Sequence, residues 1–356
     1  MTPDTDLPFH PLRWHLDGSA IEVLDQTRLP HVEVVLRLTE CDEVAHAIRT
    51  MVVRGAPLIG ACAAWGIALA LRDDPADARL QAALDTLGAT RPTAVNLAWA
   101  LQRMQRRLAN VAPALRAQAA VEEAVQICQE DIVQNQRIGE HGLALLRRLH
   151  AGLHRPLRVL THCNAGWLAT LRWGTALAPL YLAQRAGLPV QVWVDETRPR
   201  NQGALTAWEL GRAGIAHTVI VDNAGGHLMQ HGQVDLVIVG ADRVTAEGDV
   251  CNKIGTYLKA LAARDCGVPF YAAVPSPTID WQVGDGLRDI PIEERAQEEV
   301  TFMPGLAANG EVISVRIAPQ DTPARLVTGL ITERGVLAPN RAALVAAFPE
   351  RARSDP

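Results

Sequence analysis

Apolar positions divide the chain into two regimes. From Cys41 to about Leu149 they recur at helical spacing, as in Val44-Ile48-Met51-Val52 and Leu97-Leu101-Met104-Leu108. Alanine, the best helix former, enriches this region. Ahead of it, three short extended pieces (Leu12–Leu16, Ala20–Leu24 and Val32–Leu38, punctuated by Asp17-Gly18 and Pro30) predict a small antiparallel sheet. The regime changes across His150–Pro156, where Gly152 and Pro156 interrupt the helical pattern. Beyond it the apolar runs Leu157–Leu160, Val190–Val194, His217–Val221, Asp235–Val239, Phe270–Val274 and Val312–Ile317 alternate with helical segments. Such runs show no inside–outside alternation, as expected of strands buried on both faces. With helices between them they predict a doubly wound, mostly parallel sheet. The expected organisation is α/β: a mostly helical N-terminal domain with a short sheet over residues 1–150, then a catalytic domain over 151–356.

In open sheets of this kind ligands sit outside the carboxyl ends of the strands, so the segments after each strand carry the chemistry. The first strand runs into Thr161-His162-Cys163-Asn164-Ala165-Gly166, followed by Trp167–Leu171 at helical spacing, which reads as the start of a βα unit. A lone cysteine is more often a packing residue, but position makes Cys163 a site candidate. Later strands run into Asp195-Glu196-Thr197-Arg198-Pro199-Arg200-Asn201-Gln202-Gly203-Ala204, into Asp222-Asn223-Ala224-Gly225-Gly226-His227, and into Gly240-Ala241-Asp242-Arg243-Val244 with Asn252-Lys253-Ile254-Gly255-Thr256 beyond. Polar, glycine-rich turns after successive strands mark that edge as a site for a small polar ligand. Each residue also has a plainer reading. Asp242 alone could cap a helix. Asp195, Glu196, Arg198 and Arg200 could form a solvated ion-pair network. His227 and His231 are four apart, yet without H-E-x-x-H or a third ligand nearby no metal site is expected. His162 and Cys163, adjacent on an extended segment, point to opposite faces and so form no simple thiol–imidazole dyad.

Two stretches of the first half suit an anion. Arg54-Gly55-Ala56-Pro57-Leu58-Ile59-Gly60 places a cation and a glycine before a helix with proline in its first turn, offering backbone N–H groups, the positive helix end and a guanidinium. Arg91-Pro92-Thr93-Ala94-Val95-Asn96-Leu97 repeats the arrangement. Together they suggest a phosphate clamp, although neither is a Walker loop and no G-x-G-x-x-G occurs.

The 356 residues are 48% apolar and 21% charged, ordinary globular values. A net charge of -5 gives no reason to expect nucleic acid. Met1–Trp14 lacks the pattern of a signal peptide, and the longest uncharged stretch, Ala56–Leu71, is shorter than the ~20 residues of a membrane span and suits a buried helix. Six cysteines without C-x-x-C spacing fit a cytoplasmic protein with reduced thiols, with no membrane partner expected.

Taken in order, RGAPLIG, RPTAVNL, THCNAG, VDETRPRNQGA, DNAGGHLM, GADR, GDVCNKIGTY and PSPTIDW, spanning residues 54 to 281, resemble the methylthioribose-1-phosphate isomerase family. Any one motif is weak; the ordered set is specific. The wider superfamily includes the α, β and δ regulatory subunits of a translation initiation exchange factor and archaeal ribose-1,5-bisphosphate isomerase. The resemblance implies a small helical N-terminal domain beside a Rossmann-like domain, a homodimer, and aldose–ketose isomerisation of a sugar phosphate in methionine salvage without metal or cofactor. By position it makes Asp242 the acid/base and Cys163 the second catalytic residue, with Arg54, Gly55, Ala56, Arg91, Gln202, Asn252 and Lys253 as substrate contacts. Two segments depart from the family pattern: Gln202-Gly203-Ala204-Leu205-Thr206 is one residue short, and Ala318-Pro319-Gln320-Asp321-Thr322-Pro323 is shortened and lacks an aromatic. Rival readings are the same reaction on 5-deoxyribose 1-phosphate or ribose 1,5-bisphosphate, and a non-catalytic sugar-phosphate or nucleotide-sensing subunit. For Cys163, an apolar pocket would hold the thiol and a helix start would favour thiolate.

Overall fold

A computed structural model describes residues 10–91, 95–290, 302–303, 306–307 and 320–354. The predicted strand Val312–Ile317, the residues Pro92-Thr93-Ala94 and the pair Ala318-Pro319 lie outside these. Strands β1 (Leu12–Trp14), β2 (Ile21–Leu24) and β3 (Val35–Leu38) form the expected antiparallel sheet in that order. Five helices follow: α1 (Cys41–Arg49), α2 (Ala56–Asp73), α3 (Asp77–Gly88), α4 (Val95–Leu108) and α5 (Pro113–His150).

Helix α2 is the axis of this half. It is long and apolar enough to cross a membrane, but 83% of that stretch is buried inside the fold. Its alanines and glycines let neighbouring helices approach on every side, which is how a helix apolar all round is accommodated in a protein core. Helix α5 is 38 residues long, about 57 Å at 1.5 Å per residue. Ala120, Ala124 and Cys128 of its first half join the core around α2, whereas Ile138, Leu145 and Leu146 join the core under the large sheet.

The second half contains β4 (Leu157–Thr161), α6 (Ala178–Arg185), β5 (Val190–Asp195), α7 (Gln202–Arg212), β6 (Ala216–Ile220), α8 (Ala224–Gln230), β7 (Leu236–Val239), β8 (Arg243–Thr245), β9 (Val250–Asn252), α9 (Thr256–Asp265), β10 (Phe270–Ala273), β11 (Ile279–Asp280) and α10 (Gly286–Asp289). Beyond them are β12 (Phe302–Met303), β13 (Leu306–Ala307), β14 (Gln320–Thr322), β15 (Gly329–Thr332), β16 (Gly335–Leu337), α11 (Arg341–Ala347) and α12 (Pro349–Ser354).

Seven strands form the main sheet in the order β16-β15-β10-β7-β4-β5-β6, all parallel except β16. Successive side chains enter opposite cores: Leu236, Ile238, Tyr271 and Ala273 face the layer of α5, α6 and α7, while Val237, Val239, Phe270 and Ala272 face α8 and α9. The six parallel strands, β6-β5-β4-β7-β10-β15, stand in the doubly wound order 3-2-1-4-5-6. Their order reverses between β4 and β7, and there the carboxyl edge opens a crevice.

Two local expectations need correction, and one pair of strands goes beyond them. His217–Val221 reads as a doubly buried strand, but β6 is the sheet edge, with Val219 and Val221 49% and 60% exposed. Trp167–Leu171 is not a helix; only Trp167–Ala169 makes a single 3₁₀ turn, and the helix of this unit begins at Ala178. The turn stops because Asp131 takes the Leu171 N–H that would continue it, while Glu209 caps the N–H groups of Trp167 and Leu168 at its start. Strands β15 and β16 complete the sheet although no apolar run announced them.

Candidate active site

The site is built from the ends of β4 and β7 and from the N-terminus of α2. Arg54, Gly55, Ala56 and Pro57 line a cleft with Cys163, Asn164, Ala165, Thr175, Gly240, Ala241, Asp242 and Asn252. The cleft is partly open to solvent. Six of the nine sequence-predicted residues (Arg54, Gly55, Ala56, Cys163, Asp242, Asn252) thus meet there, although the chain separates them by almost two hundred positions.

Each wall has a local cause. Gly55 caps α2 at φ +93°, and a Cβ on it would lie 2.5 Å from the backbone of Ala169. Only glycine allows both that conformation and that approach, which seats the start of α2 against the turn after β4. The first N–H groups and the positive end of α2 therefore face the cleft beside the Arg54 guanidinium. Cys163 adopts φ +67°, sparsely populated by a residue with a side chain. Two threonines hold it there. Its N–H donates to Thr197 Oγ1 at 2.8 Å, and Thr206 Oγ1 donates to its carbonyl at 2.8 Å. Asp242 is fixed across the small sheet β11-β8-β9-β14, its N–H donating to Cys251 O at 2.9 Å. Gln320–Thr322, in the shortened C-terminal segment, pairs with β9, with Gln320 opposite Asn252.

Burial dominates the electrostatics of Cys163. It pushes the thiol above its ordinary value, aided by Asp242 and opposed by Arg54, Lys253 and the Asn164 N–H. The helix start that would have favoured thiolate is absent after Cys163, so burial is left to favour the thiol.

Of the remaining predicted residues, Lys253 neighbours Cys163 electrostatically without lining the cleft. Gln202 is buried at the first position of α7. Arg91 borders the undescribed residues 92–94 and is not among the lining residues.

The sequence reading missed the supporting groups. Asp195 is not part of a solvated network: it is fully buried, 2.8 Å from His162 Nδ1 and 3.2 Å from Lys259 Nζ. His162 Nε2 lies 2.7 Å from Ile254 O, so the ring ties the end of β4 to the loop bearing Asn252 and Lys253. His162, Asp195 and Asp222 are close enough together to hold a metal, but Lys259 already supplies the positive charge among them. On the other side of Cys163, Asn164 receives Arg54 and is itself backed by the buried Glu209. Nothing in Thr206-Ala207-Trp208-Glu209-Leu210 distinguishes Glu209 from an exposed helical acid. The one available signal was Gly166, whose α-carbon is pressed against that carboxylate.

The doubly wound fold and this cleft place the chain in a family: it belongs to the initiation factor 2 subunit family, whose profile matches residues 52–339. Within it, the similar curated relatives are methylthioribose-1-phosphate isomerases. That of Acidiphilium cryptum is 60% identical over 94% of both chains, and that of Rhizobium meliloti 57% identical over 97% of this chain and 99% of its own. Among solved structures, the 5-methylthioribose 1-phosphate isomerase from Pyrococcus horikoshii OT3 superposes with a TM-score of 0.85 at 39% identity over 97% of each chain. The translation initiation factor eIF-2B subunit delta from A. fulgidus superposes with a TM-score of 0.80 at 38% identity, over 96% of this chain and 99% of its own.

Proposed function

We propose that the chain is an aldose–ketose isomerase converting 5-methylthio-D-ribose 1-phosphate to 5-methylthio-D-ribulose 1-phosphate, with Asp242 and Cys163 as its catalytic residues. The observation that carries this is their convergence: a carboxyl and a buried thiol, from the ends of β7 and β4, face one cleft beside Arg54 and the α2 N-terminus. The relatives named for this reaction are 56–60% identical to the chain. A non-catalytic subunit would need the anion contacts but not the thiol–carboxyl pair.

In this reading Arg54 and the N–H groups of α2 bind the phosphate, with Gly55, Ala56, Arg91, Gln202, Asn252 and Lys253 as further substrate contacts. The C1 oxygen carries the phosphate, so the sugar has no free aldehyde form and the ring must be opened by protonating its ring oxygen. Asp242 gives that proton and the C1–ring-oxygen bond breaks. Hydrogen then moves from C2 to C1 while Asp242 takes the proton of the C2 hydroxyl, which leaves the C2 ketone and restores the acid. A thiol held above its ordinary value is a poor base at neutral pH, and an incoming phosphate dianion opposes thiolate further. In this reading Cys163 stays protonated beside C1 and C2, and hydrogen passes as hydride. The relatives carry the name of the methylthio sugar, and Arg198 and Arg200 are not among the described residues lining the cleft, which favours a monophosphate over ribose 1,5-bisphosphate. Turnover measured with a methylthio, a hydrogen and a phosphate at C5 tests the choice: the methylthio sugar should be preferred, and preference for the bisphosphate would refute it.

We further assign the chain to the cytoplasm as a homodimer. Six cysteines with no disulfide among them suit a reducing compartment, and Val219 and Val221, exposed at the edge strand β6, suit a second copy.

A further inference from the structure

We propose that Glu209 is a positioning residue: lying behind the cleft, its carboxylate fixes Asn164, and Asn164 aims the Arg54 guanidinium at the substrate's phosphate. The inference rests on the reading of the cleft as a sugar-phosphate site.

Glu209 is fully buried in α7 and does not line the cleft. Its Oε1 accepts from Asn164 Nδ2 at 2.9 Å and from the Leu168 N–H at 3.2 Å. Its Oε2 accepts from the Trp167 N–H at 2.8 Å and from the Tyr181 hydroxyl at 2.5 Å. All four partners donate. An ionised carboxylate satisfies them all with charge-assisted bonds, whereas protonation turns the bond to Tyr181 round, the acid now donating to the phenol oxygen, and takes the charge from the bond to Asn164.

The consequence passes through Asn164. A side-chain amide could present either its oxygen or its nitrogen to Arg54. Here Glu209 and Thr206 Oγ1 take up Nδ2, so Oδ1 faces Arg54 and accepts from Nη1, while the Asn164 carbonyl accepts from Nη2 at 2.8 Å. Arg54 is thereby gripped on one side, and its remaining N–H groups are left for the cleft. The same carboxylate clasps the turn that follows Cys163, and a Cβ on Gly166 would lie 1.8 Å from Glu209 Oε2.

Burial opposes this arrangement. It pushes the Glu209 carboxyl up to about 7, against the pull of its four hydrogen bonds. The groups facing it are Tyr181 from α6, whose phenol burial raises well above its ordinary value, and Arg54 through Asn164. Cys163, raised by burial, lies on the same turn, and Arg212 on α7 pairs with Glu33. The grip on Arg54 is therefore charge-assisted above about pH 7 and weakens below it.

The test is KM and kcat for 5-methylthioribose 1-phosphate from pH 5.5 to 9 in the wild-type chain, Glu209→Gln and Tyr181→Phe. The substrate phosphate titrates near pH 6 in every case, so the quantity to read is the ratio of variant to wild-type KM. At pH 8 Glu209→Gln should raise KM about 10-fold with kcat changed less than about 3-fold, and the KM ratio should fall toward one below pH 7. Tyr181→Phe removes one donor and should move the wild-type step upward by about half a pH unit. A merely structural role would lower kcat through loss of active molecules at unchanged KM, and that result would overturn the proposal. So would a step that Tyr181→Phe leaves in place. If the wild-type chain turns over no such sugar, the substrate reading fails, and calorimetry with inorganic phosphate at pH 8 decides the inference instead. About 10-fold weaker binding in Glu209→Gln would uphold it, and equal binding would overturn it.

Discussion

Cys163 combines features that a packing cysteine does not need. It is a buried side chain on a left-handed backbone, its N–H and carbonyl held by threonines from two other segments. Such a conformation costs on the order of 1–3 kcal/mol and persists only where its surroundings enforce it. Asp242 faces it from the neighbouring strand end, and the proposed chemistry needs that carboxyl to give and take protons. Asp242→Asn keeps the size and one acceptor but cannot shuttle a proton. Its kcat should fall by about 10²-fold or more with substrate affinity largely kept; near-normal turnover would remove Asp242 from the chemistry. At this scale legibility followed chain position. Cys163, Asp242 and Arg54 could be picked out because each sits where a strand ends or a helix begins. Glu209, Asn164 and the pairing of His162 with Asp195 could not, because their meaning lies in contacts 33 to 45 positions apart.

Elements were read well where periodicity alone decides them and poorly where neighbours do. The central strands matched because a strand buried on both faces must be apolar throughout. Strand β6 has the same composition but lies at an edge, and only topology settles its exposure. Helix α5 shows a related effect. Asp131 occupies its buried middle, where its carboxylate accepts from the Leu171 N–H at 3.1 Å and from Asn135 Nδ2 at 2.9 Å, linking α5 to the turn behind the cleft. Burial outweighs these bonds and lifts the Asp131 carboxyl from 3.8 to about 7. A carboxyl raised on folding contributes stability that is fully present below its unfolded value, near 4, and lost as pH rises through 7. Asp131→Asn does not titrate, so its stability relative to wild type should improve between pH 5 and pH 8. At 1.36 kcal/mol per unit the shift corresponds to an upper range of about 2–4 kcal/mol. Urea unfolding at the two pH values measures it; the same difference between the chains at both would contradict the assignment.

At the scale of the whole molecule, one long helix joins two cores and one glycine seats the N-terminal half against the sheet. The switch point between β4 and β7 is open for a ligand, and the N-terminus of α2 covers it from the other half of the chain. The ordered motifs made this convergence legible, since segments from residue 54 to residue 252 all carry site character. How they meet was not legible, because crossover topology and the antiparallel pairing of Gln320–Thr322 with β9 are properties of the assembled sheet. The central claim is an intramolecular hydrogen transfer on a phosphorylated sugar, governed by Asp242 beside a protonated thiol. A phosphorus and proton NMR time course with 5-methylthioribose 1-phosphate in deuterium oxide tests it most directly. The account predicts conversion to the ketose 1-phosphate with no deuterium at C1. Deuterium at C1 would contradict hydride transfer and require a base at C2, and absence of any product would contradict the proposed function itself.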